Sequence, residues 1–153
     1  MRLSAIDKKI LNEMQGDFPI VPRPFQALGV KLGLSERDVI RKIKVLKKKG
    51  VIRSISVSFD SRRLGYTSTL VAMAVPDESL AQVVRVINSY AEVTHNYLRE
   101  NRKSCYNFWF TLIAESSGRL EEIIREMKKK TGIKKLLNLP AKRFFKLNMK
   151  FDF

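Results

Sequence analysis

Ser35-Glu36-Arg37-Asp38-Val39-Ile40-Arg41-Lys42-Ile43-Lys44-Val45-Leu46-Lys47-Lys48-Lys49-Gly50 runs straight into Val51-Ile52-Arg53-Ser54-Ile55-Ser56-Val57. In the first stretch Val39, Ile40, Ile43 and Leu46 share one helix face; the second is rich in β-branched residues. Ser35 is the expected N-cap, with Asp38 in place of the usual Glu of a capping box, and Gly50 ends the helix. Towards the N-terminus, Ile6, Ile10, Leu11 and Met14 mark another helix behind the candidate cap Ser4, closed by Gly16. Pro19, Pro22 and Pro24 hold the following segment extended, because each restricts the residue before it. A short helix then fits 25–32, closed by Gly33. Three helices followed by β-rich sequence predict a winged helix-turn-helix domain over residues 1–60.

Beyond it the periodicity changes. Residues 66–75 read as a strand and 80–90 as a helix with Val83, Val84, Val86, Ile87 and Tyr90 buried. Residues 93–98 and 106–114 read as a strand pair across the polar loop 99–105. The segment 119–130 is an amphipathic helix on Leu120, Ile123, Ile124 and Met127, stopped by Gly132. Strand-like pieces follow at 135–139 and 143–151. The order β-α-β-β-α-β predicts a ferredoxin-like second domain over 61–153, hence an α+β chain with its boundary in 58–64.

The 153 residues carry a net charge of +15, spread as +7 over 1–50, +2 over 51–75 and +6 over the rest. Such an excess suits an anionic partner: nucleic acid, a membrane surface or a small polyanion. Lys47-Lys48-Lys49 and Lys128-Lys129-Lys130 sit where cations complement helix dipoles. Arg37, Arg41, Lys44 and Lys48 fall at helical spacing, either as a phosphate-contacting face or as a solvated basic one. One cysteine, Cys105, excludes an intramolecular disulfide, and with a single histidine no Cys/His zinc cluster can form within one chain. No stretch reaches the length of a membrane span and the N-terminus has no signal-peptide core, so a soluble cytoplasmic protein is expected.

The run Val93-Thr94-His95-Asn96-Tyr97-Leu98-Arg99, followed by Cys105-Tyr106-Asn107-Phe108-Trp109-Phe110-Thr111-Leu112, holds the only histidine and the only tryptophan. Alternation puts His95, Tyr97 and Arg99 on one face of their strand, where they could converge on a ligand. A structural histidine and core aromatics are the other reading of the same residues.

The His95-Asn96-Tyr97 triplet, Arg99 and the strand Tyr106-Asn107-Phe108-Trp109-Phe110 resemble the signature of the siroheme decarboxylases, which share the Lrp/AsnC architecture of a winged helix and a ferredoxin-like domain. Val21-Pro22-Arg23-Pro24-Phe25, Phe59-Asp60-Ser61-Arg62-Arg63-Leu64-Gly65-Tyr66 and Leu137-Asn138-Leu139-Pro140-Ala141 resemble the family pattern too, so the likeness covers nearly the whole chain. The loop Glu100-Asn101-Arg102-Lys103-Ser104-Cys105 departs from it, lacking the histidine that some members carry there.

The resemblance implies loss of carbon dioxide from the C12 and C18 acetates of siroheme, giving 12,18-didecarboxysiroheme for haem or haem d1 synthesis. It implies a homologous partner subunit, no cofactor beyond the iron of the substrate, and a haem-like product able to co-bind. On that basis His95, Tyr97 and Arg99 are the expected catalytic residues, with His95 either a proton donor or an axial ligand to the tetrapyrrole iron. Arg62, Arg63, Asn96, Tyr106, Trp109 and Arg143 are expected to bind substrate, the arginines as carboxylate forks and the aromatics by stacking. For Trp109 the domain core is the favoured alternative. The competing class is an Lrp/AsnC-type DNA-binding transcription regulator, with a haem-sensing regulator on the same fold as an intermediate; nucleic acid is not the expected partner of this chain, nor is a membrane.

Overall fold

In the computed structural model, which describes residues 2–16, 18–100, 104–143, 151 and 153, Ser4 and Asp7 open the first helix reciprocally. Asp7 N donates to Ser4 Oγ at 3.2 Å, and Ser4 N donates to Asp7 Oδ2 at 3.0 Å. That box starts α1 (Ala5–Gly16). Pro24 begins α2 (Pro24–Leu32), where its missing N–H is no loss, and Gly33 closes it at φ 66°. Ser35 caps α3 (Glu36–Lys48), accepting from Asp38 N at 3.1 Å while its hydroxyl donates to the Asp38 carboxylate at 2.6 Å.

These three helices form one of the chain's two compact units, which holds the described residues up to Val57 together with Phe151 and Phe153. Ile10, Leu11, Leu28, Val39, Ile43, Leu46 and Ile52 make its core. Gly29 allows the turn between α2 and α3 to close: a Cβ there would lie 2.5 Å from the Leu34 carbonyl oxygen. The β-rich reading of 51–57 is corrected, since no strand forms there. Alternation yields a strand only where a neighbouring strand completes the ladder, and among the described residues none does. Instead Leu11, Met14, Phe18, Val51, Ile52 and Ile55 line a groove of about 370 Å³ that Phe151 and Phe153 also border. Gln15 holds the backbone of Phe151 from both sides, accepting from its N–H at 3.0 Å and donating to its carbonyl.

The second unit starts at Ser58. Its elements are β1 (Thr67–Met73), α4 (Leu80–Asn88), β2 (Val93–Leu98), β3 (Phe108–Ala114), α5 (Ser117–Thr131) and β4 (Leu136–Pro140). The sheet is antiparallel with strand order β2-β3-β1-β4, the expected ferredoxin-like topology. Val71, Met73, Phe108, Phe110, Leu112 and Ala114 pack with Val83 and Ile87 of α4 and Leu120, Ile123, Ile124 and Met127 of α5. Cross-strand register puts Leu70, Ala72, Trp109, Thr111, Leu137 and Leu139 on the sheet's other face. The Asn107 side chain ties the end of β3 to Val75, donating to its carbonyl at 2.8 Å and accepting from its N–H at 2.9 Å. Most of the strand expected at 143–151 lies outside the described residues.

Candidate functional site

Val93 pairs with Leu112 and His95 with Thr111, so between them β2 spends two residues on one step of β3 and Thr94 is a β-bulge. The consequence is a change of face. Val93 packs against the helix-side core, and uninterrupted alternation would send His95 the same way. The bulge turns His95 to the face that carries Thr111 instead, and Tyr97, opposite Trp109, follows on that face. His95 is exposed, with Nδ1 3.1 Å from Thr94 Oγ1.

Arg99 follows β2, its N–H donating to the Asn107 carbonyl at 2.7 Å. Its guanidinium carbon lies 4.6 Å from the Tyr97 ring centroid and 5.6 Å from that of Trp109. The cation therefore sits over two aromatic rings, an arrangement worth about 0.5–1 kcal/mol at an exposed position. It leaves the guanidinium edge free to be read as a bidentate fork. Trp109 is half-buried, and its indole Nε1 donates to the Tyr106 carbonyl at 3.3 Å. The core reading of Trp109 is corrected: Phe108 and Phe110 enter the core, and the residue between them must face the other way.

His95, Tyr97, Arg99 and Trp109 thus form one patch, and Tyr106 adjoins it through its backbone. Asn96 is on the opposite face, opposite Phe110, and its side chain donates to Asn88 Oδ1 at the end of α4. Arg62 and Arg63 lie in the turn before β1, where Asp60 receives Arg62 Nε at 3.0 Å and Nη2 at 2.9 Å, with Arg63 Nε at 3.9 Å. Hydrogen bonding and charge from Arg62 hold the Asp60 carboxyl below the usual carboxylate range. Thr67 pairs with Ala114 whereas Leu98 pairs with Phe108, so these arginines and Arg99 occupy opposite ends of the sheet. Arg143 follows β4, whose Pro140 pairs with Thr69, and so falls at the Arg62 end. In the other unit Arg37, Arg41, Lys44 and Lys48 are exposed on α3, but Arg41 is paired with Asp38 at 2.6 Å.

Sequence reasoning missed Thr94, since a bulge has no signal in the period it interrupts. It also missed the apolar continuation of the open face through Leu70, Leu137 and Leu139, whose alternation was there to be read. Among the described residues no group of three or more His, Cys, Asp or Glu side chains could hold a metal ion, and no helix is long and apolar enough to cross a membrane.

A helix-turn-helix unit joined to an antiparallel ferredoxin-like sheet defines the Lrp/AsnC architecture. The model of the AsnC-like ligand binding domain matches residues 63–146, and that of the siroheme decarboxylase NirDL-like HTH domain matches 7–53. The siroheme decarboxylase alpha subunit of Desulfovibrio desulfuricans is 39% identical over 97% of this chain and 84% of its own length. The chain belongs to the siroheme decarboxylase family. The crystal structure of the siroheme decarboxylase NirDL superposes with a TM-score of 0.70 at 35% identity, covering 92% of this chain and 45% of that one. A second NirDL structure, in co-complex with an iron-uroporphyrin III analogue, gives a TM-score of 0.70 at 33% identity over 95% and 47%. The chain therefore spans about half the length of the solved NirDL chains.

Proposed function

We propose that this chain is one subunit of a cytoplasmic siroheme decarboxylase that removes carbon dioxide from the C12 and C18 acetates of siroheme, working with a homologous second subunit. The observation that carries the reading is the patch on the open sheet face, where His95 and Tyr97 share a face with an Arg99 guanidinium that lies over the Tyr97 and Trp109 rings. The twofold length of the NirDL chains supports the pairing, since one such chain has room for two homologous modules.

The chemistry follows from the groups present. Siroheme is a polycarboxylate with an apolar macrocycle, which a basic protein with an aromatic and aliphatic sheet face is suited to receive. Arg99 engages a peripheral carboxylate by its planar fork, and the rings beneath it favour its place on this face. Leu70, Leu137 and Leu139 continue that face as an apolar surface for the macrocycle to cover, and an acetate desolvated on binding loses carbon dioxide more readily than a hydrated one. The C–C bond breaks with its electron pair passing into the macrocycle. The methylene carbon then takes a proton and becomes a methyl group, so each turnover consumes one proton per carbon dioxide released.

His95 is the proton donor in this reading, because an imidazole exchanges protons near neutrality, and the Tyr97 phenol orients the acetate beside it. Axial ligation of the substrate iron is the rival role for His95, exclusive of the first for one bound substrate. Arg62, Arg63 and Arg143, at the other end of the sheet, serve carboxylates remote from the reacting one. Asn96, bonded to Asn88, supports β2 from the helix side.

The test is anaerobic incubation of the purified chain with siroheme, alone and with a homologous subunit, followed by mass spectrometry of the extracted tetrapyrrole. Sequential loss of two carbon dioxide units is expected. Tight binding without a change of mass, even with the second subunit present, contradicts the reading and leaves a tetrapyrrole-sensing regulator as the better account.

A further inference from the structure

We propose that Thr94 is a positioning residue for His95: the bulge it creates turns the imidazole to the open face, and its hydroxyl accepts from Nδ1–H, leaving Nε2 as the nitrogen that meets the substrate. The inference deepens the function proposed above and rests on it for the role of His95.

Two independent observations meet at this residue. One is the register, in which the step from Val93 to His95 matches a single step from Leu112 to Thr111, so that Thr94 is the extra residue. Bulges re-aim the side chains that follow them, and here the re-aimed residue is the only histidine of the chain. The other is the contact between Thr94 Oγ1 and His95 Nδ1 at 3.1 Å. An exposed imidazole on an edge strand would otherwise rotate about its side-chain bonds and exchange tautomers. A β-branched residue is stiff at its first side-chain torsion, so the threonine hydroxyl is a fixed partner rather than a wandering one.

The direction of the hydrogen bond decides what the ring can do. A hydroxyl can donate or accept, but an imidazolium has only N–H groups and can use Thr94 only as an acceptor. After Nε2 has given up its proton, the neutral ring that results carries hydrogen on Nδ1 and keeps the same bond. Acceptance by Thr94 thus fits the ring before and after proton transfer without reorientation. The opposite arrangement, with the hydroxyl donating to Nδ1, fits only the neutral ring with hydrogen on Nε2 and must break when the ring is protonated.

A chain with one histidine makes the test direct. The full-length protein labelled with nitrogen-15 in histidine gives one imidazole, whose two nitrogen shifts report the tautomer. The neutral ring is expected to carry its hydrogen on Nδ1 in the wild type and in Thr94→Ser, and to revert in Thr94→Val to the Nε2–H form that free imidazole side chains prefer. Valine keeps the branched shape that the strand accommodates, so the fold survives the change. With the second subunit present, Thr94→Val should lower kcat about 10-fold and leave KM within about 2-fold, and Thr94→Ser should restore kcat. An unchanged tautomer in Thr94→Val, or equal loss of kcat in both variants, overturns the proposal. Full activity of His95→Ala alongside the expected tautomer shift would instead sink the catalytic role of His95 while leaving its link to Thr94 standing.

Discussion

Tyr97 and Trp109 stand directly opposite each other across β2 and β3, and the Arg99 guanidinium lies over both rings. An aromatic cross-strand pair of this kind contributes about 0.2–1 kcal/mol to the sheet. Its functional consequence is larger, because it places a cation on the open face before any ligand arrives. Arg99→Lys keeps the charge but loses both the stacking and the fork. Siroheme affinity, read by absorbance titration, should fall about 10-fold or more. An unchanged affinity would remove Arg99 from the binding surface.

The close approach at Gly29 makes a separate prediction for the helical unit. Gly29→Ala places a Cβ 2.5 Å from a backbone oxygen that cannot swing away, so α2 and α3 must separate. The cost should be about 1–3 kcal/mol in chemical denaturation followed by circular dichroism. Binding of siroheme by the folded variant should be unaffected if the patch on the sheet is the site.

Asp7 supplies a pH dependence. Its carboxyl accepts hydrogen bonds from Ser4 and the Lys42 ammonium, which bring its pKa down from 3.8 to about 2. A pKa depressed by folding contributes stability that is complete above the unfolded value and disappears as pH falls through the folded one. Urea denaturation should therefore show Asp7→Asn less stable than wild type at pH 6. The gap should close as the pH is lowered from about 4 to about 2. A gap independent of pH would show that the variant acts through something other than this charge.

The tie between Gln15 and Phe151 predicts that the last residues stabilise the helical unit. Phe151→Ala removes a ring that is 56% exposed, so the loss should be modest, about 1 kcal/mol by thermal denaturation. Gln15→Ala should cost a similar amount, and the two losses should add in the double variant, because Gln15 bonds the backbone at position 151 and the other substitution removes only the ring. No loss of stability in Gln15→Ala would deny the backbone tie.

What the sequence revealed and what it hid divide along the range of the interactions. α1 and α3 were legible because their caps, Ser4 with Asp7 and Ser35 with Asp38, act over three residues and leave a local pattern. The ferredoxin-like order was legible from the alternation of apolar periods, and the shared face of His95 and Tyr97 from strand parity. Parity also held the answer for Trp109, which must oppose Phe108 and Phe110. The return of Phe151 to Gln15 spans 136 residues and depends on a glutamine side chain taking the place of a strand, which no local pattern encodes. The Thr94 bulge was hidden for a different reason: it exists only as a mismatch between two strands, and neither strand shows it alone. The absence of a strand at 51–57 has the same origin, since a strand is a property of a pair.

In the proposed mechanism His95, turned onto the open face beside Tyr97 and Arg99, delivers the proton that completes decarboxylation. The most direct measurement is the mass of the tetrapyrrole after anaerobic incubation of siroheme with His95→Ala and the second subunit, beside the wild-type pair and with binding checked by absorbance. The variant pair should still bind siroheme while its acetates remain, or are lost at least about 100-fold more slowly than with wild type. Loss of both carbon dioxide units at the wild-type rate would contradict it and move the proton donor to another residue or to the other subunit.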